Sequence, residues 1–200
     1  MVSEYIEWIQ RGEKAFRERD FNLAMKCFKK ATELKPGDVA GWYNLGVVLR
    51  AMGKVEEAVG IYNKALQIDN ENPKIWNNVG YALVKLGRLE EALACFDKAT
   101  QVSPDDAIGW YNKALALRML GRVEESIASY NQAIKINPEE PRFWINAGYA
   151  LNQMGKHKEA LTCYDKAIDI NPNNYKAWYN KGLTLREQGE FEKAAEAYRK

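Results

Sequence analysis

The sequence predicts an all-α protein, built as a solenoid of stacked helix–turn–helix units. The first observation is a fixed period, because the six tryptophans lie 34 residues apart, at Trp8, Trp42, Trp76, Trp110, Trp144 and Trp178. The second is that glycine follows the same interval, at Gly53, Gly87, Gly121, Gly155 and Gly189. The third is that apolar residues recur with helical spacing and no segment alternates as a strand does. A period of this size is typical of stacked supersecondary units.

Each period begins with one helix and a turn, as residues 39–72 illustrate. Trp42, Gly46 and Leu49 are spaced i, i+4 and i+7, so they lie on one face of a helix. Gly53 follows, and a glycine in this place typically ends a helix. We therefore predict a turn at the glycine of every unit, and at Arg19 in the first unit, which has no glycine there.

A second helix completes each period. Ala58, Tyr62 and Ala65 repeat the helical spacing after the turn. Glu56 and Glu57 precede them, and acidic residues in the first turn of a helix interact favourably with its dipole. Asn70 ends this unit, whereas a proline ends most of the others, at Pro36, Pro104, Pro138 and Pro172.

Together these positions resemble the tetratricopeptide repeat, whose pattern is W-x2-L-G-x2-Y, A-x3-F and P in 34 residues. In the second unit, Trp42, Leu45 and Gly46 match its first helix, and Ala58 and Tyr62 match its second. In the fourth unit, Ser126 replaces the small alanine of the second helix, which is a local departure from the repeat pattern. The resemblance implies one right-handed α-solenoid domain over residues 1–200, with repeats at 5–38, 39–72, 73–106, 107–140, 141–174 and a truncated 175–200.

The first helix of each unit has two predicted packing faces, on a numbering that starts three residues before the tryptophan. Positions 4, 8 and 11 face the second helix. We expect the small residue at position 8 to let the helices approach, and the tryptophan at position 4 to fill the remaining space. Positions 3, 7, 10 and 14 face the preceding unit. They are apolar in the second unit, at Gly41, Leu45, Val48 and Met52.

The two ends of the array differ in polarity. In the first unit, the face toward a preceding unit is charged, at Glu7, Arg11, Lys14 and Glu18, which indicates that the array begins there. The last helix is apolar, at Phe191, Ala194, Ala195 and Tyr198, and no polar capping helix follows it. We expect either that the natural protein continues or that this end docks on something, including a second copy.

The remaining arc of each first helix carries tyrosine, asparagine and arginine. In the tetratricopeptide family this arc lines the concave groove where partners bind. Tyrosine offers a large contact area at low entropic cost, arginine suits carboxylates, and asparagine can donate to and accept from a peptide backbone. Asparagine at position 6 also has an alternative role in helix–helix contacts. The predicted groove residues are Tyr43, Asn44, Arg50, Asn78, Tyr81, Lys85, Tyr111, Asn112, Arg118, Asn146, Tyr149, Tyr179, Asn180 and Arg186.

Two known kinds of groove can be compared with this one. The asparagine series is similar to that of the superhelical repeats of protein O-linked N-acetylglucosamine transferase, where such residues hold an extended polypeptide. The carboxylate clamp of cochaperones wants lysine at position 5 and asparagine at position 9 of the first unit, where this chain has Ile9 and Glu13. The clamp is therefore disfavoured, although Arg50, Arg118 and Arg186 suit an acidic peptide.

Composition and motifs argue against several other functions. The 29 basic and 27 acidic residues leave a net charge of +2, which does not suggest a nucleic-acid partner. We also expect no membrane association, because no run of eighteen apolar residues occurs. The single histidine, His157, reads as a filler at the inter-helix turn, so we expect no metal and no cofactor. The recurring Glu56–Glu57 pairs are helix starts rather than an acid–base pair, and we predict that the chain is not an enzyme.

Cys27, Cys95 and Cys163 lie two units apart, beyond disulfide reach in a solenoid. They therefore predict three free thiols and a reducing, cytoplasmic location. The favoured function is an interaction module or scaffold that holds an extended peptide or protein segment in its groove. Two alternatives stay open, a structural scaffold that self-assembles through its ends and the substrate-recruiting arm of a larger enzyme.

Overall fold

The computed structural model describes residues 2–200, and this part of the chain folds into twelve α-helices without strands. The all-α class and the repeated helix–turn–helix unit are confirmed. No helix of the described part is long and apolar enough to cross a bilayer. The helices are α1 Val2–Arg17, α2 Phe21–Leu34, α3 Val39–Ala51, α4 Val55–Ile68, α5 Pro73–Lys85, α6 Leu89–Val102, α7 Ala107–Met119, α8 Val123–Ile136, α9 Pro141–Gln153, α10 His157–Ile170, α11 Tyr175–Glu187 and α12 Phe191–Tyr198.

The helices form two compact units, one up to Ser103 and one from Pro104. The first unit holds α1–α6 and the second holds α7–α12. Within each unit, the two helices of a repeat pack on each other, and the second helix of a repeat packs on the first helix of the next. The single domain over residues 1–200 stays a prediction.

Helix starts follow the polar residues at the repeat boundaries. The side chain of Asp38 accepts a hydrogen bond from the amide of Ala40 at the start of α3, and Asn72 does the same for Lys74 at the start of α5. Such caps satisfy amides that have no partner inside the helix. The second helices α4, α6, α8 and α10 have no side-chain cap but carry acidic residues in the first turn.

The turn inside each repeat requires a left-handed backbone. Gly53 has φ = 79°, and the equivalent glycines have similar values. Arg19 occupies this place in the first repeat with φ = 62°, as its position predicted. Glycine is favoured here because it has no Cβ to clash in this conformation.

The interior of each repeat differs from the sequence-based prediction in one respect. The space beside the small residue at position 8 is filled by an aromatic ring of the second helix, at position 24 of the same repeat. The tryptophan does not fill it. A Cβ added at Gly46 would lie 2.5 Å from Cε1 of Tyr62, and one at Gly80 would lie 2.6 Å from Cε1 of Phe96. The ring lies directly against the glycine backbone, so the helices can approach only where no larger side chain is present. The rings at position 24 are Phe28, Tyr62, Phe96, Tyr130, Tyr164 and Tyr198.

The tryptophans face the second helix of their own repeat, as predicted, and also reach the loop before that repeat. Trp144 packs against a cluster that includes Ala167 of α10, and Trp178 against one that includes Ala194 and Ala197 of α12. Trp42 is half-buried, and its Nε1 donates a hydrogen bond of 2.8 Å to the carbonyl of Pro36 in the preceding loop. Trp76, Trp110, Trp144 and Trp178 donate in the same way to the carbonyl six residues earlier. A buried indole needs a partner for its N–H, and the loop carbonyl supplies it.

The face toward the preceding repeat agrees with the prediction. Ile75, Val79 and Ala82 are buried at positions 3, 7 and 10 of the third repeat. The corresponding charged residues of the first repeat are exposed: Glu7, Arg11, Lys14 and Glu18. On α12, Phe191 is 68% exposed and Tyr198 is 42% exposed, whereas Ala194 is buried.

All three cysteines are free thiols. Cys27 and Cys95 are buried, and Cys163 is half-buried. Burial raises the pKa of the Cys95 and Cys163 thiols to about 11, and raises that of Cys27. These thiols are therefore packing groups in their neutral form, which is the less reactive form of cysteine.

We expect Cys95 to react slowly with iodoacetamide in the folded protein. With a pKa of about 11, its thiolate fraction near neutral pH is roughly two orders of magnitude below that of an exposed cysteine. The alkylation rate should rise about tenfold per pH unit beyond pH ~9, where the rate in urea-denatured protein levels off. Mass spectrometry of the Cys95 peptide across a pH series measures this. A folded-state rate that levels off with the denatured control would contradict the expectation.

Candidate functional site

The predicted groove residues all lie on the first helices α3, α5, α7, α9 and α11, and none of them is buried. Tyr81 and Tyr149 are each 40% exposed, and Tyr179 is 55% exposed. Asn44, Asn112 and Asn180 are half-buried, while Lys85 and Arg186 are exposed. Side chains of this kind remain accessible to a ligand.

The first compact unit brings Arg50 of α3 against Tyr81 of α5. The Cζ atom of Arg50 lies 5.1 Å from the centroid of the Tyr81 ring, a cation–π contact between consecutive repeats. The Nζ atom of Lys85 lies 5.5 Å from the same centroid. The fully buried Tyr62 of α4 lies behind them, and its hydroxyl is near the Arg50 guanidinium.

Tyr43 and Asn78 flank this arrangement. Nδ2 of Asn78 donates to the hydroxyl of Tyr43 at 3.3 Å and to the carbonyl of Lys74 at 2.8 Å. The Tyr43 ring lies 6.3 Å from the Tyr62 ring. The five residues Arg50, Tyr43, Tyr62, Asn78 and Tyr81 are called the Arg50 cluster below.

The second compact unit repeats the arrangement. Arg118 lies 5.0 Å over the ring of Tyr149, and Nδ2 of Asn146 donates to the hydroxyl of Tyr111 at 3.4 Å. The Tyr111 ring lies 6.0 Å from that of Tyr130. The Arg118 cluster is therefore defined as Arg118, Tyr111, Tyr130, Asn146 and Tyr149.

Each cluster contains buried donors that have no hydrogen-bond partner within residues 4–200. They are the hydroxyls of Tyr62 and Tyr130 and the Nε atoms of Arg50 and Arg118. Burial raises the pKa of Tyr62, and it raises that of Tyr130 to about 12. The guanidinium of Arg50 lowers the pKa of Tyr62 in part, and that of Arg118 does the same for Tyr130, so each guanidinium lies close to its tyrosine hydroxyl. No hydrogen bond of good geometry joins the two groups.

The two cluster arginines differ in charge pairing from three arginines that form ion pairs with glutamate. Arg88 is paired with Glu91, Arg122 with Glu125 and Arg142 with Glu140. Within the part of the chain that the structure describes, Arg50 and Arg118 have no carboxylate partner.

The asparagine series is divided by the structure. Asn78 and Asn146 use their amide groups to hold the tyrosine of the preceding repeat, as the alternative packing role predicted. Asn44 and Asn180 make no side-chain hydrogen bond to any residue the structure describes. The asparagines at position 6 are therefore not equivalent.

Tyr62 and Tyr130 are the cluster members that the groove prediction missed. Position 24 is phenylalanine where position 12 is apolar, as in Phe28 with Phe16 and Phe96 with Val84. It is tyrosine where position 12 is polar: Tyr62 with Arg50, Tyr130 with Arg118, Tyr164 with Asn152 and Tyr198 with Arg186. This covariation within the sequence could have identified them.

The fifth repeat has a polar network in place of an arginine cluster. Oδ1 of Asn152 accepts from the hydroxyl of Thr184 at 2.9 Å and lies 2.8 Å from Nδ1 of His157. Nδ2 of Asn152 donates to Glu187 at 2.8 Å. His157 is therefore a half-buried member of a packing network. Nowhere in the described residues do three or more His, Cys, Asp or Glu side chains form a group that could hold a metal ion.

Comparison with known proteins supports the repeat assignment. The family described as the cilia and flagella-associated protein 70 C-terminal domain, a tetratricopeptide repeat domain, matches residues 3–200. A crystal structure of YrrB, described as a TPR protein with an unusual peptide-binding site, is 25% identical to this chain. It superposes with a TM-score of 0.71 and covers 85% of this chain and 88% of that chain.

Two curated relatives match over shorter segments. A Protein STIP1 homolog of Dictyostelium discoideum is 36% identical over 62 residues, which are 31% of this chain and 11% of that protein. The peroxisomal targeting signal receptor of Candida albicans is 38% identical over 53 residues, which are 26% of this chain and 9% of the receptor. The matched segment spans about a tenth of each relative's length, so the likeness concerns one or two repeats.

Proposed function

Because the chain belongs to the tetratricopeptide repeat family of the cilia and flagella-associated protein 70 C-terminal domain, we propose that it binds an extended segment of another protein on the surface of its first helices. The observation that carries the proposal is that accessible tyrosine and asparagine side chains recur on every first helix from α3 to α11, with an arginine at position 12 of α3, α7 and α11.

The chemistry of these side chains supports a peptide ligand. Exposed Tyr81, Tyr149 and Tyr179 offer aromatic area with few rotatable bonds, which is favourable for contact with a flexible chain. The amides of Asn44 and Asn180 have no partner among the described residues, and each can both donate to and accept from a peptide backbone. The names of two similar proteins describe a targeting-signal receptor and a peptide-binding site, which agrees with this function.

We further propose that the chain acts by binding alone. An interaction module of this kind requires no cofactor, no metal and no catalytic group, and we propose that it is not an enzyme. The three free thiols support a reducing, cytoplasmic location.

Selection from a random peptide library on the immobilised full chain tests the function. The wild type should enrich defined peptides, and the triple variant Tyr81→Ala, Tyr149→Ala, Tyr179→Ala should lose at least about tenfold in affinity for them. The control variant Ile136→Ala, Phe191→Ala removes two large apolar residues of second helices, 37% and 68% exposed and outside the proposed surface, and it should bind normally.

Circular dichroism should show that both variants keep their helical content. The proposal fails if the wild type enriches no peptide, or if the folded triple variant binds the selected peptides as well as the control does.

A further inference from the structure

We propose that each compact unit contains one site for an aspartate or glutamate side chain of the bound segment, formed by the Arg50 cluster in the first and the Arg118 cluster in the second. This inference rests on the proposed function, because the carboxylate belongs to the segment that the first helices bind. It adds the chemical class that the segment must carry.

The unpaired charge of the two arginines is the first argument. Arg88 and Arg122, which lie in the turns just before α6 and α8, are neutralised by nearby glutamates, with contacts of 2.7 Å to Glu91 and 2.6 Å to Glu125. Arg50 and Arg118 have no such partner within the described residues, although each is only half-exposed. A partly desolvated guanidinium attracts an external anion, and its planar set of donors matches a carboxylate.

The positioning of these arginines is the second argument. Each guanidinium rests on a tyrosine ring of the next repeat, at 5.1 Å for Arg50 over Tyr81 and 5.0 Å for Arg118 over Tyr149. The flanking tyrosines, Tyr43 and Tyr111, are held by the amides of Asn78 and Asn146. Side chains held in advance lose less conformational entropy when a ligand binds, so more of the interaction energy appears as affinity.

The unsatisfied donors are the third argument. Tyr62 and Tyr130 are fully buried, yet their hydroxyls have no hydrogen-bond partner among residues 4–200, and neither does the Nε atom of the adjacent arginine. Buried polar groups are normally paired, and unpaired ones point to an unfilled role. A carboxylate has two oxygens that accept several hydrogen bonds. Binding requires a small shift of the arginine side chain, so that a carboxylate oxygen can reach these donors.

The two sites differ in one cation, which predicts a difference in strength. Lys85 lies 5.5 Å from the Tyr81 ring in the first cluster. Gln153 occupies the equivalent position 13 of the fifth repeat, and the cation that does lie against the Arg118 cluster, Arg142 at 5.8 Å from the Tyr111 ring, is paired with Glu140. Substitution of Arg50 should therefore leave a residual attraction from Lys85, and the first site should bind acidic residues more tightly than the second.

Two matched peptide libraries test the proposal on the full chain. One contains aspartate and glutamate at random positions, and in the other these residues are replaced by asparagine and glutamine. The wild type should prefer the acidic library by about tenfold or more at low salt, and the preference should weaken as salt screens the charges.

Matched arginine variants identify the site. The double variant Arg50→Gln, Arg118→Gln should lose most of the acidic preference, apart from the residual attraction of Lys85 and Arg186, and keep its affinity for neutral peptides. The control Arg88→Gln, Arg122→Gln removes two arginines that are paired with glutamates, and it should keep the preference. The double variant Arg50→Lys, Arg118→Lys keeps the positive charges but not the planar donors, so it should keep only part of the preference for acidic peptides.

Three results would overturn the inference. The first is equal binding of both libraries by the wild type, which leaves the proposed function intact and removes the carboxylate sites. The second is an acidic preference that persists at wild-type strength in the folded Arg50→Gln, Arg118→Gln variant or is lost in the control. The third is the absence of any bound peptide, which rejects the proposed function together with the inference.

Discussion

Replacing Gly46 with valine is expected to lower the free energy of unfolding by about 3 kcal/mol. A Cβ at this position would lie 2.5 Å from Cε1 and 2.6 Å from Cδ1 of the fully buried Tyr62. The ring cannot move aside without separating α3 from α4, because it is packed directly against the backbone of α3. The two additional methyl groups of valine increase the overlap.

Gly60 provides the matched control for this substitution. It lies within α4, is exposed, and would place a Cβ where no atom lies within 4 Å. Gly60→Val should change the free energy of unfolding by less than about 0.5 kcal/mol, because valine and glycine differ little in helix propensity. Urea denaturation followed by circular dichroism measures both variants. Equal stability of the two variants would show that the glycine–ring contact does not limit the approach of the helices.

The fourth repeat shows how a methyl group can be accommodated at this position. Ala114 replaces the glycine and is buried beside Tyr130. The hydroxyl of Ser126 donates to the carbonyl of Ala114 at 2.9 Å, a contact that the alanine of other repeats cannot make. Gly46→Ala should therefore destabilise the protein less than Gly46→Val does.

Tyr130→Ala is the second substitution with a large expected effect, a loss of about 4 kcal/mol in the free energy of unfolding. The Tyr130 ring is fully buried and packs with Ala114, Ala147 and Ala150 of the second compact unit. Removing it leaves a cavity that these short side chains cannot fill. Alanine at this position also removes the contact between the Tyr130 ring of α8 and Ala114 of α7.

Tyr130→Phe separates the ring from its hydroxyl. Phenylalanine already occupies this position at Phe28 and Phe96, and the Tyr130 hydroxyl has no hydrogen-bond partner among the described residues. We expect the stability to change by less than about 1 kcal/mol near neutral pH. A loss comparable with that of Tyr130→Ala would contradict the assignment of the stabilisation to the ring.

The pH dependence of the same variant provides an independent check. Burial raises the pKa of Tyr130 from 10.0 to about 12, so above pH 10 the unfolded chain ionises this tyrosine while the folded chain does not. The contribution of the Tyr130 hydroxyl to the free energy of unfolding is therefore fully present below pH 10, and it is lost as the pH rises from 10 to about 12. Tyr130→Phe should lose less stability than the wild type over that interval.

The sequence predicted the repeats because their causes are local. Helical spacing, a left-handed turn at Gly53 and the helix starts depend on residues close together in the chain. The fixed period then placed Arg50 and Arg118 on equivalent accessible faces. The prediction that tryptophan fills the space beside position 8 was wrong, because periodicity assigns a face but not the neighbour that fills it. Position 8 had two aromatic candidates, and the ring at position 24 is the one that lies against the glycine backbone. The tryptophans do face the second helix of their own repeat, as predicted.

By itself, the sequence determined the number and kind of elements, the turn positions, the apolar faces between repeats and the accessible tyrosine, asparagine and arginine positions. Only the tertiary structure decided which side chains meet across repeats. It placed the guanidinium of Arg50 on Tyr81 and held Tyr43 by Asn78, while it left the amide of Asn44 unpaired among the described residues. Such contacts join residues about one repeat apart in the chain. They depend on how closely the helices pack within and between repeats, as Gly46 against the Tyr62 ring shows for α3 and α4, and helical spacing alone does not give that distance.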